Sequence, residues 1–427
     1  MRSRFSRVAP EPRLRELSAS AQHRHSHSLH HLSMSTSNGH GAGVVIAGGG
    51  LAAQRCAETL RRSGYEGRIR MVCAEERLPY DRPPLSKEVL ADAAAEESVA
   101  YRSEDWYADK HVELLLGTRA EGLDSARRRV ALSDGGEVAY EHLVIATGSA
   151  PRTLPAFAPY ANVSTLRTLD DSRLLRELLR SGARLLIIGA GFIGQEVAAA
   201  ARGAGAQVTM VEIEPAPLHG LLGERIGRWL AQLHIDEGVA LELARSVASI
   251  HGERRVEAVT LDDGRRIEAD HVLLGVGVRP NLDWLAGSGL PTEAIPTDEG
   301  GRTAVERVYA AGDAAAFYDA FLGRHASSGH WESAGRQGAA VANAITGRPP
   351  AAPALSSFWS DQYGTRIQYL GHATLADDVV VEGDLAARDF IALYTRKGSP
   401  VAALAVGRPK ALPELREQLR HLTERTP

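Results

Sequence analysis

The chain is 427 residues long, with a formal net charge of −4, 44% hydrophobic residues and two cysteines. That length predicts two or three domains with sizeable cores. The charge balance, with no basic run interleaved with aromatics, gives no reason to expect a nucleic-acid partner, and no apolar stretch approaches the length of a membrane span.

Cys56 and Cys73 are too few for a disulfide scaffold and are not spaced as a C-x-x-C redox pair. They read as buried structural thiols, in the first helix and the second strand, in a reducing, cytoplasmic setting. Residues 1–42 are poor in large apolar side chains and predict a disordered leader. The leader lacks the apolar region of a signal peptide, and Glu11 and Glu16 weigh against a transit peptide. Its run from His23 to His31 has no scaffold to fix a metal, so no metal site is expected. Translation starting at Met34 is the plainer reading of the leader.

The stretch Val44-Val45-Ile46-Ala47-Gly48-Gly49-Gly50-Leu51-Ala52-Ala53 predicts a buried strand, a glycine turn and a helix over Leu51–Ser63. In this G-x-G-x-x-A pattern Gly48 permits the turn, Gly50 lets backbone N–H groups approach a pyrophosphate, and Ala53 lets the helix lie against the strand. A bland strand-turn-helix is the alternative for the motif alone. Glu75, after the next predicted strand Arg70–Ala74, favours a dinucleotide because an acid there can hold a ribose hydroxyl. The loop Pro79-Tyr80-Asp81-Arg82-Pro83-Pro84-Leu85-Ser86-Lys87 is stiffened by prolines and can hold Arg82 and Lys87 beside a ligand. In isolation it reads equally as an exposed loop with a solvated lysine.

Short strands follow from Val112 to Tyr140, with a hairpin turn at Asp134-Gly135-Gly136. A buried strand beginning at His142 then ends in the small-residue turn Ala146-Thr147-Gly148-Ser149, where a ligand can approach the backbone. A second fingerprint, Gly189-Ala190-Gly191-Phe192-Ile193-Gly194-Gln195-Glu196, follows the strand starting at Arg184 and makes the chain an internal repeat. Its next strand, Gln207–Val211, leads to Glu212 with no arginine immediately after, which favours NADH over NADPH. More short strands, 248–271, lead to Gly275-Val276-Gly277-Val278-Arg279-Pro280-Asn281.

The segment Val308-Tyr309-Ala310-Ala311-Gly312-Asp313 predicts a short strand before a small-residue helix, with Asp313 either capping that helix or accepting bonds from ligand hydroxyls. Helix Trp331–Thr346 precedes the proline-rich linker 348–353. Strands at Val379–Val381 and Phe390–Thr395 predict a small C-terminal sheet domain. A tail helix places Leu412, Leu415, Leu419 and Leu422 on one face, for core packing.

Two fingerprints call for two dinucleotides, and the economical pair is a tightly held FAD and an exchanging NADH, hence hydride transfer. With no cysteine pair to receive the electrons, an external acceptor is expected. The chain resembles the FAD-dependent, NADH-using ferredoxin reductases of oxygenase systems over about residues 43–425. The stretches that carry the resemblance are Pro79–Lys87, Ala146–Ser149, Gly189–Glu196, Gly275–Asn281, Tyr309–Asp313 and Phe358-Trp359-Ser360-Asp361-Gln362-Tyr363-Gly364.

The resemblance implies a glutathione-reductase-type α/β fold, two Rossmann-like dinucleotide-binding units and a small C-terminal α+β domain. Its divisions are 43–158 and 281–349 for FAD, 159–280 for NADH, and 350–427 for the interface domain. It further implies Glu75 on the adenosine ribose of FAD, Arg82 and Lys87 along the cofactor with Lys87 at the flavin edge, and Asp313 on the ribityl chain. Glu196 would lie near the nicotinamide and pair with Lys87. Trp331 would stand beside the isoalloxazine and ease electron exit. Lys87, Glu196 and Trp331 are therefore the catalytic candidates. Gly48, Gly50, Ala53 and Asp313 are assigned to FAD, and Thr147, Gly148, Gly312, Gly189, Gly191, Gly194, Glu212 and Gly277 complete the cofactor-binding set. Gly329 and Ser333 depart from the family's usual Glu and Asn.

The expected acceptor is a small [2Fe–2S] ferredoxin or a rubredoxin, serving an oxygenase such as a P450 or a ring-hydroxylating dioxygenase. The reductase itself would be a monomer or homodimer, with no membrane partner. The competing readings are an NADH oxidase or disulfide reductase, and an NADH-responsive signalling flavoprotein like apoptosis-inducing factor.

Overall fold

The structure, a computed structural model, describes residues 41–179, 182–319, 321–349 and 354–424. Nearly all of the expected leader and most of the proline-rich linker lie outside these residues. Among the described residues, no helix is long and apolar enough to cross a membrane.

Both glycine turns leave the middle of a five-stranded parallel sheet. Val44–Ala47 is flanked by Ile69–Val72 and then Val112–Leu115 on one side, and by His142–Ile145 and then Val308–Ala310 on the other. Arg184–Ile188 holds the same place between Gln207–Glu212, followed by Ala240–Leu243, and His271–Leu274, followed by Val163–Ser164. A central strand covered on both faces needs apolar residues at successive positions rather than alternating ones. Val44, Val45, Ile46 and Ala47 are accordingly all inaccessible to solvent. The chain leaves the first sheet through Ser149–Pro151 and returns through Val278–Pro280, and these two short strands pair antiparallel. The expected turn at Asp134-Gly135-Gly136 closes the hairpin between Arg129–Leu132 and Glu137–Ala139.

The C-terminal segment forms an antiparallel sheet in the order Ser357–Gln362, Thr365–Gly371, Ser399–Val406, Asp389–Arg396, Asp378–Asp384. Its first strand is an edge, packed against helices Phe192–Gly203 and Trp331–Ile345. Helix Trp331–Ile345 in turn lies so close to Leu51–Arg62 that a Cβ on Gly338 would stand 2.1 Å from the Ala52 carbonyl oxygen. That contact sets the start of the first helix against the middle of the second.

Three local expectations change. No long helix follows Asp313: Gly312–Ala314 is a single 3₁₀ turn, and Ala315–Asp319 is a strand paired with Ile295–Thr297 and Arg324–Ala326. The alanines there favour a helix, but tertiary pairing outweighs propensity. Cys73 lies one residue beyond the second strand, which ends at Val72. The tail breaks into Leu412–Gln418 and His421–Glu424, yet Leu415, Leu419 and Leu422 remain buried against Leu370 and Ala403.

Gly338→Val should cost about 1–3 kcal/mol through overpacking, at the upper end because a backbone carbonyl cannot step aside, as read by chemical denaturation. Burial also lowers the imidazoles of His234 and His271 to about 4, from 6.5. Between those values the unfolded chain takes up protons that the folded chain refuses, so stability is complete above about pH 6.5 and is lost as the pH falls towards 4. The thermal midpoint should drop across that window, less steeply in His271→Asn; a midpoint flat from about pH 6.5 to 4.5 contradicts this.

Candidate active site

Three helices begin at the rim of one cleft, and no side chain caps their first amides: Leu51–Arg62 after Gly50, Phe192–Gly203 after Gly191, and Trp331–Ile345 after His330. Their unsatisfied N–H groups and dipoles make the rim electropositive, which suits an anionic ligand.

The glycines of each turn divide by what demands them. A Cβ on Gly48, whose φ is 137°, would lie 2.0 Å from the Ala146 carbonyl oxygen, and one on Gly194 would lie 2.2 Å from that of Gly189. A Cβ on Gly189 would lie 2.5 Å from the Gly275 carbonyl oxygen. Ala53 is wholly buried. These small residues are required by the protein's own packing. Gly50 differs, because its φ is an ordinary −89° and nothing stands within 4 Å of its Cβ position, although it lines the cleft. Gly191 is similar, with φ −75° and its nearest neighbour at 3.8 Å. The space a side chain would fill at these two positions is open, as a phosphate cradle requires.

Charged groups line the first half of the cleft. Arg82 donates to Glu75 (2.8 Å), to the Arg167 carbonyl (2.7 Å) and to the Tyr80 hydroxyl (3.2 Å), and Tyr80 donates to Glu75 at 2.6 Å. The bond to Glu75 pins the proline loop to the segment after the second strand. Asp313 accepts from the Ser149 hydroxyl at 2.5 Å and from Arg167 at 3.4 Å, so it is a cleft residue rather than a helix cap. Gln337 accepts from the Gly312 amide at 2.8 Å and holds that turn.

At the far end Lys87 and Glu196 form an ion pair of 2.6 Å, with side chains 12% and 6% exposed. Burying two charges is costly unless the remaining donors and acceptors are met. They are met here: Glu196 also accepts from Ser86 (2.5 Å) and Ser360 (2.7 Å), and Lys87 donates to the Pro83 carbonyl at 3.1 Å. The solvated-lysine reading is thereby removed. Trp331 donates its indole N–H to Asp81 at 2.6 Å and meets Trp359 edge to face, with centroids 5.5 Å apart. His330 packs beside Phe358 and Phe192, whose own ring centroids are 4.6 Å apart, and burial lowers its pKa.

The cleft therefore brings together Gly50, Arg82, Lys87, Gly148, Glu196, Gly312, Asp313 and Trp331. Glu75 touches it through Arg82. Thr147 lies behind it and donates to the Asn281 carbonyl at 2.8 Å. Glu212 sits at the second turn, where it accepts from the Ala190 amide at 2.6 Å, and Gly189, Gly191 and Gly194 lie with it. Gly277 precedes the return strand Val278–Pro280. Gly329 has φ 61° and open space around it, and Ser333 is buried beside Arg336. Sequence reasoning gave no role to Ser86, Asp81, Arg167, Trp359 or Ser360. All but Arg167 lie in stretches that carried the family resemblance, and Arg167 carries no motif.

The architecture is that of a two-dinucleotide reductase. Residues 42–338 match the family described as pyridine nucleotide-disulphide oxidoreductase, and 357–427 match the reductase C-terminal family. The chain belongs to the pyridine nucleotide-disulphide oxidoreductases. It is 37% identical over 370 residues to the ferredoxin–NAD(+) reductase subunit of the benzene 1,2-dioxygenase system of Pseudomonas putida, covering 86% of this chain and 90% of that one. It is 34% identical over 392 residues to putidaredoxin reductase of Pseudomonas putida, covering 90% and 92%. The crystal structure of the covalent putidaredoxin reductase–putidaredoxin complex superposes with a TM-score of 0.86 at 34% identity, covering 91% of this chain and 94% of that one.

Gly50→Ala separates ligand from fold. The protein has room for the methyl group, so the unfolding free energy of the flavin-free protein should stay within about 1 kcal/mol of the flavin-free parent, alanine being a slightly poorer helix cap, while flavin retained through purification should fall sharply. A variant that purifies as yellow as the parent contradicts the cradle.

Proposed function

We propose that the protein is an FAD-dependent NADH:ferredoxin reductase that feeds an oxygenase, with a [2Fe–2S] ferredoxin as acceptor in preference to a rubredoxin. One observation carries this reading: the open cradle at Gly50 and the Lys87–Glu196 pair share a single cleft, so a dinucleotide running from the first glycine turn ends beside the second unit's helix. The residues present fit FAD, through the uncapped helix start, the space at Gly50, and the carboxylates of Glu75 and Asp313. Bound there, FAD supplies the exchange between a two-electron hydride donor and a one-electron acceptor.

The chain's own residues position and insulate that exchange. Glu75 and Asp313 are assigned to sugar and ribityl hydroxyls, and Arg82 and the Gly50 turn to the pyrophosphate. Glu212 and the turn Gly189–Gly194 are assigned to NADH, with Thr147, Gly148, Gly277 and Gly312 shaping the backbone around the two nucleotides. Lys87, which would stand at the edge of the flavin ring, has its ammonium held by Glu196 and the Pro83 carbonyl. Phe192, Phe358, Trp331 and Trp359 line the cleft and would keep water from a bound flavin. Trp331, its orientation set by Asp81, marks the exit towards the carrier.

Both cysteines are free and buried, and burial raises the Cys73 thiol to about 12 and the Cys56 thiol further. A free thiol is already reduced and has no bond to accept electrons, and one so reluctant to ionise is a poor nucleophile for a disulfide or sulfenic-acid relay, which supports an external carrier and a reducing, cytoplasmic setting. The sheet memberships support an FAD part at 43–158 and 281–349, an NADH part at 159–280 and an interface part at 350–427.

Purified protein should carry flavin that NADH bleaches anaerobically, and it should then reduce a [2Fe–2S] ferredoxin. Lys87→Met should keep the flavin but slow its reduction by NADH on the order of 10- to 100-fold. Flavin-free protein, or reduced protein that reacts with oxygen and with no carrier, overturns the assignment.

A further inference from the structure

The motif Phe358–Gly364 is only partly accounted for by the cleft. Along the edge strand Ser357–Gln362, the alternate residues Phe358, Ser360 and Gln362 are buried. From Ser360 a line of buried polar groups runs away from the cleft. Ser360 donates to Glu196, Gln362 Nε2 donates to Ser360 (3.1 Å) and to Gln195 Oε1 (3.5 Å), His234 Nε2 lies 3.3 Å from Gln195 Oε1, and the Tyr363 hydroxyl lies 2.7 Å from His234 Nδ1. Gln195 and His234 are 0% exposed, and Ser360 and Gln362 are 2% exposed.

Gln195 Nε2 donates to the Ala190 carbonyl at 2.9 Å, so Gln195 Oε1 faces His234 and can only accept. His234 must therefore carry its proton on Nε2. Burial lowers that imidazole to about 4, so at neutral pH it has one proton and Nδ1 is a bare acceptor. Tyr363 is then the donor to Nδ1, and the other bonds in the line point towards Glu196 or Gln195. The charged groups that act on the Tyr363 hydroxyl are Glu237, Arg202 and Arg388, and Arg388 pairs with Glu237 at 2.6 Å.

A second, independent observation concerns the turn. Gln362 pairs with Thr365, so Tyr363 and Gly364 form a two-residue hairpin turn, with φ values of 51° and 70°. Turns with both central residues left-handed favour asparagine or glycine, and a bulky side chain is disfavoured there. The tyrosine occupies this position with its ring edge-to-face on His234, centroids 5.3 Å apart, and its hydroxyl on the imidazole. Turn chemistry alone does not explain it.

We propose that Tyr363, His234, Gln195, Gln362 and Ser360 form a positioning relay that fixes the orientation of Glu196 and, through it, of the Lys87 ammonium. The inference rests on the assignment of Lys87 and Glu196 made above. None of the five is a catalytic residue. They tie the C-terminal sheet to the helix start that borders the cleft, so that the reacting end of the site is set by groups on three separate segments.

The test uses the full-length, flavin-loaded protein with Tyr363→Phe, which keeps the ring, and Tyr363→Asn, which suits the turn better than tyrosine. A turn role predicts that Tyr363→Asn is as stable as the parent or more so, and that neither variant alters the flavin. The relay predicts that both variants slow anaerobic single-turnover flavin reduction by about 2- to 30-fold, with the apparent affinity for NADH unchanged and the bound flavin's absorption maximum shifted. Nitrogen-15 NMR of the imidazoles should show His234 protonated at Nε2 in the parent and in Tyr363→Phe alike, with the Nδ1 resonance of the variant moved to that of a bare, unbonded ring nitrogen. Parent-like rates and spectra in both variants, or a parent imidazole protonated at Nδ1, overturn the relay. If NADH fails to reduce the parent's flavin, the function assigned above is what fails, and the tautomer and flavin spectrum still decide the relay.

Discussion

The buried pair of Lys87 and Glu196 is the contact on which the rest of the site depends. Two charges removed from water repel the fold unless each finds full compensation. Compensation here comes from segments far apart in sequence: the proline loop supplies Lys87, Ser86 and the Pro83 carbonyl, the helix after the second glycine turn supplies Glu196, and the C-terminal edge strand supplies Ser360. The pair therefore requires all three segments in register, and the cleft exists only where they meet. Lysine suits the place because a compact ammonium offers three donors from one point, which a planar guanidinium cannot.

The glycine turns show how packing and ligand binding share a motif. Gly48, Gly189 and Gly194 are small because a neighbouring backbone lies where a Cβ would be, whereas Gly50 and Gly191 face open space. Within one fingerprint, then, some positions serve the fold and one serves the ligand. Together with the uncapped starts of the three helices, this leaves a rim whose polar groups are unmatched by protein atoms, which is the physical signature of a binding site.

Much of the architecture was legible because its signals are local. The runs at Val44–Ala47 and Arg184–Ile188, the glycines after them, the acids Glu75 and Glu212, and the turn at Asp134-Gly135-Gly136 each declare themselves within a few residues. The strand after Asp313 was misread as a helix because its alanines favour one, and the partner strand that overrides them begins at Ile295. Arg167 was not legible at all, since nothing beside it in the chain indicates that it reaches both Asp313 and the loop of Arg82. The fourfold satisfaction of the Lys87–Glu196 pair was half visible: the ion pair could be expected from resemblance, but its serines could not.

By itself the sequence determined the two nucleotide units, the pair of cofactors they call for, and the absence of a cysteine pair as a route for electrons, because glycine spacing, hydrophobic runs and cysteine count are properties of neighbouring residues. Tertiary structure alone decided which glycines face a ligand, which side chains satisfy the buried charges, and why a tyrosine occupies a turn that prefers asparagine. Those properties depend on distances between segments more than 100 residues apart, such as Lys87 and Glu196 or His234 and Tyr363, and only folding sets such distances.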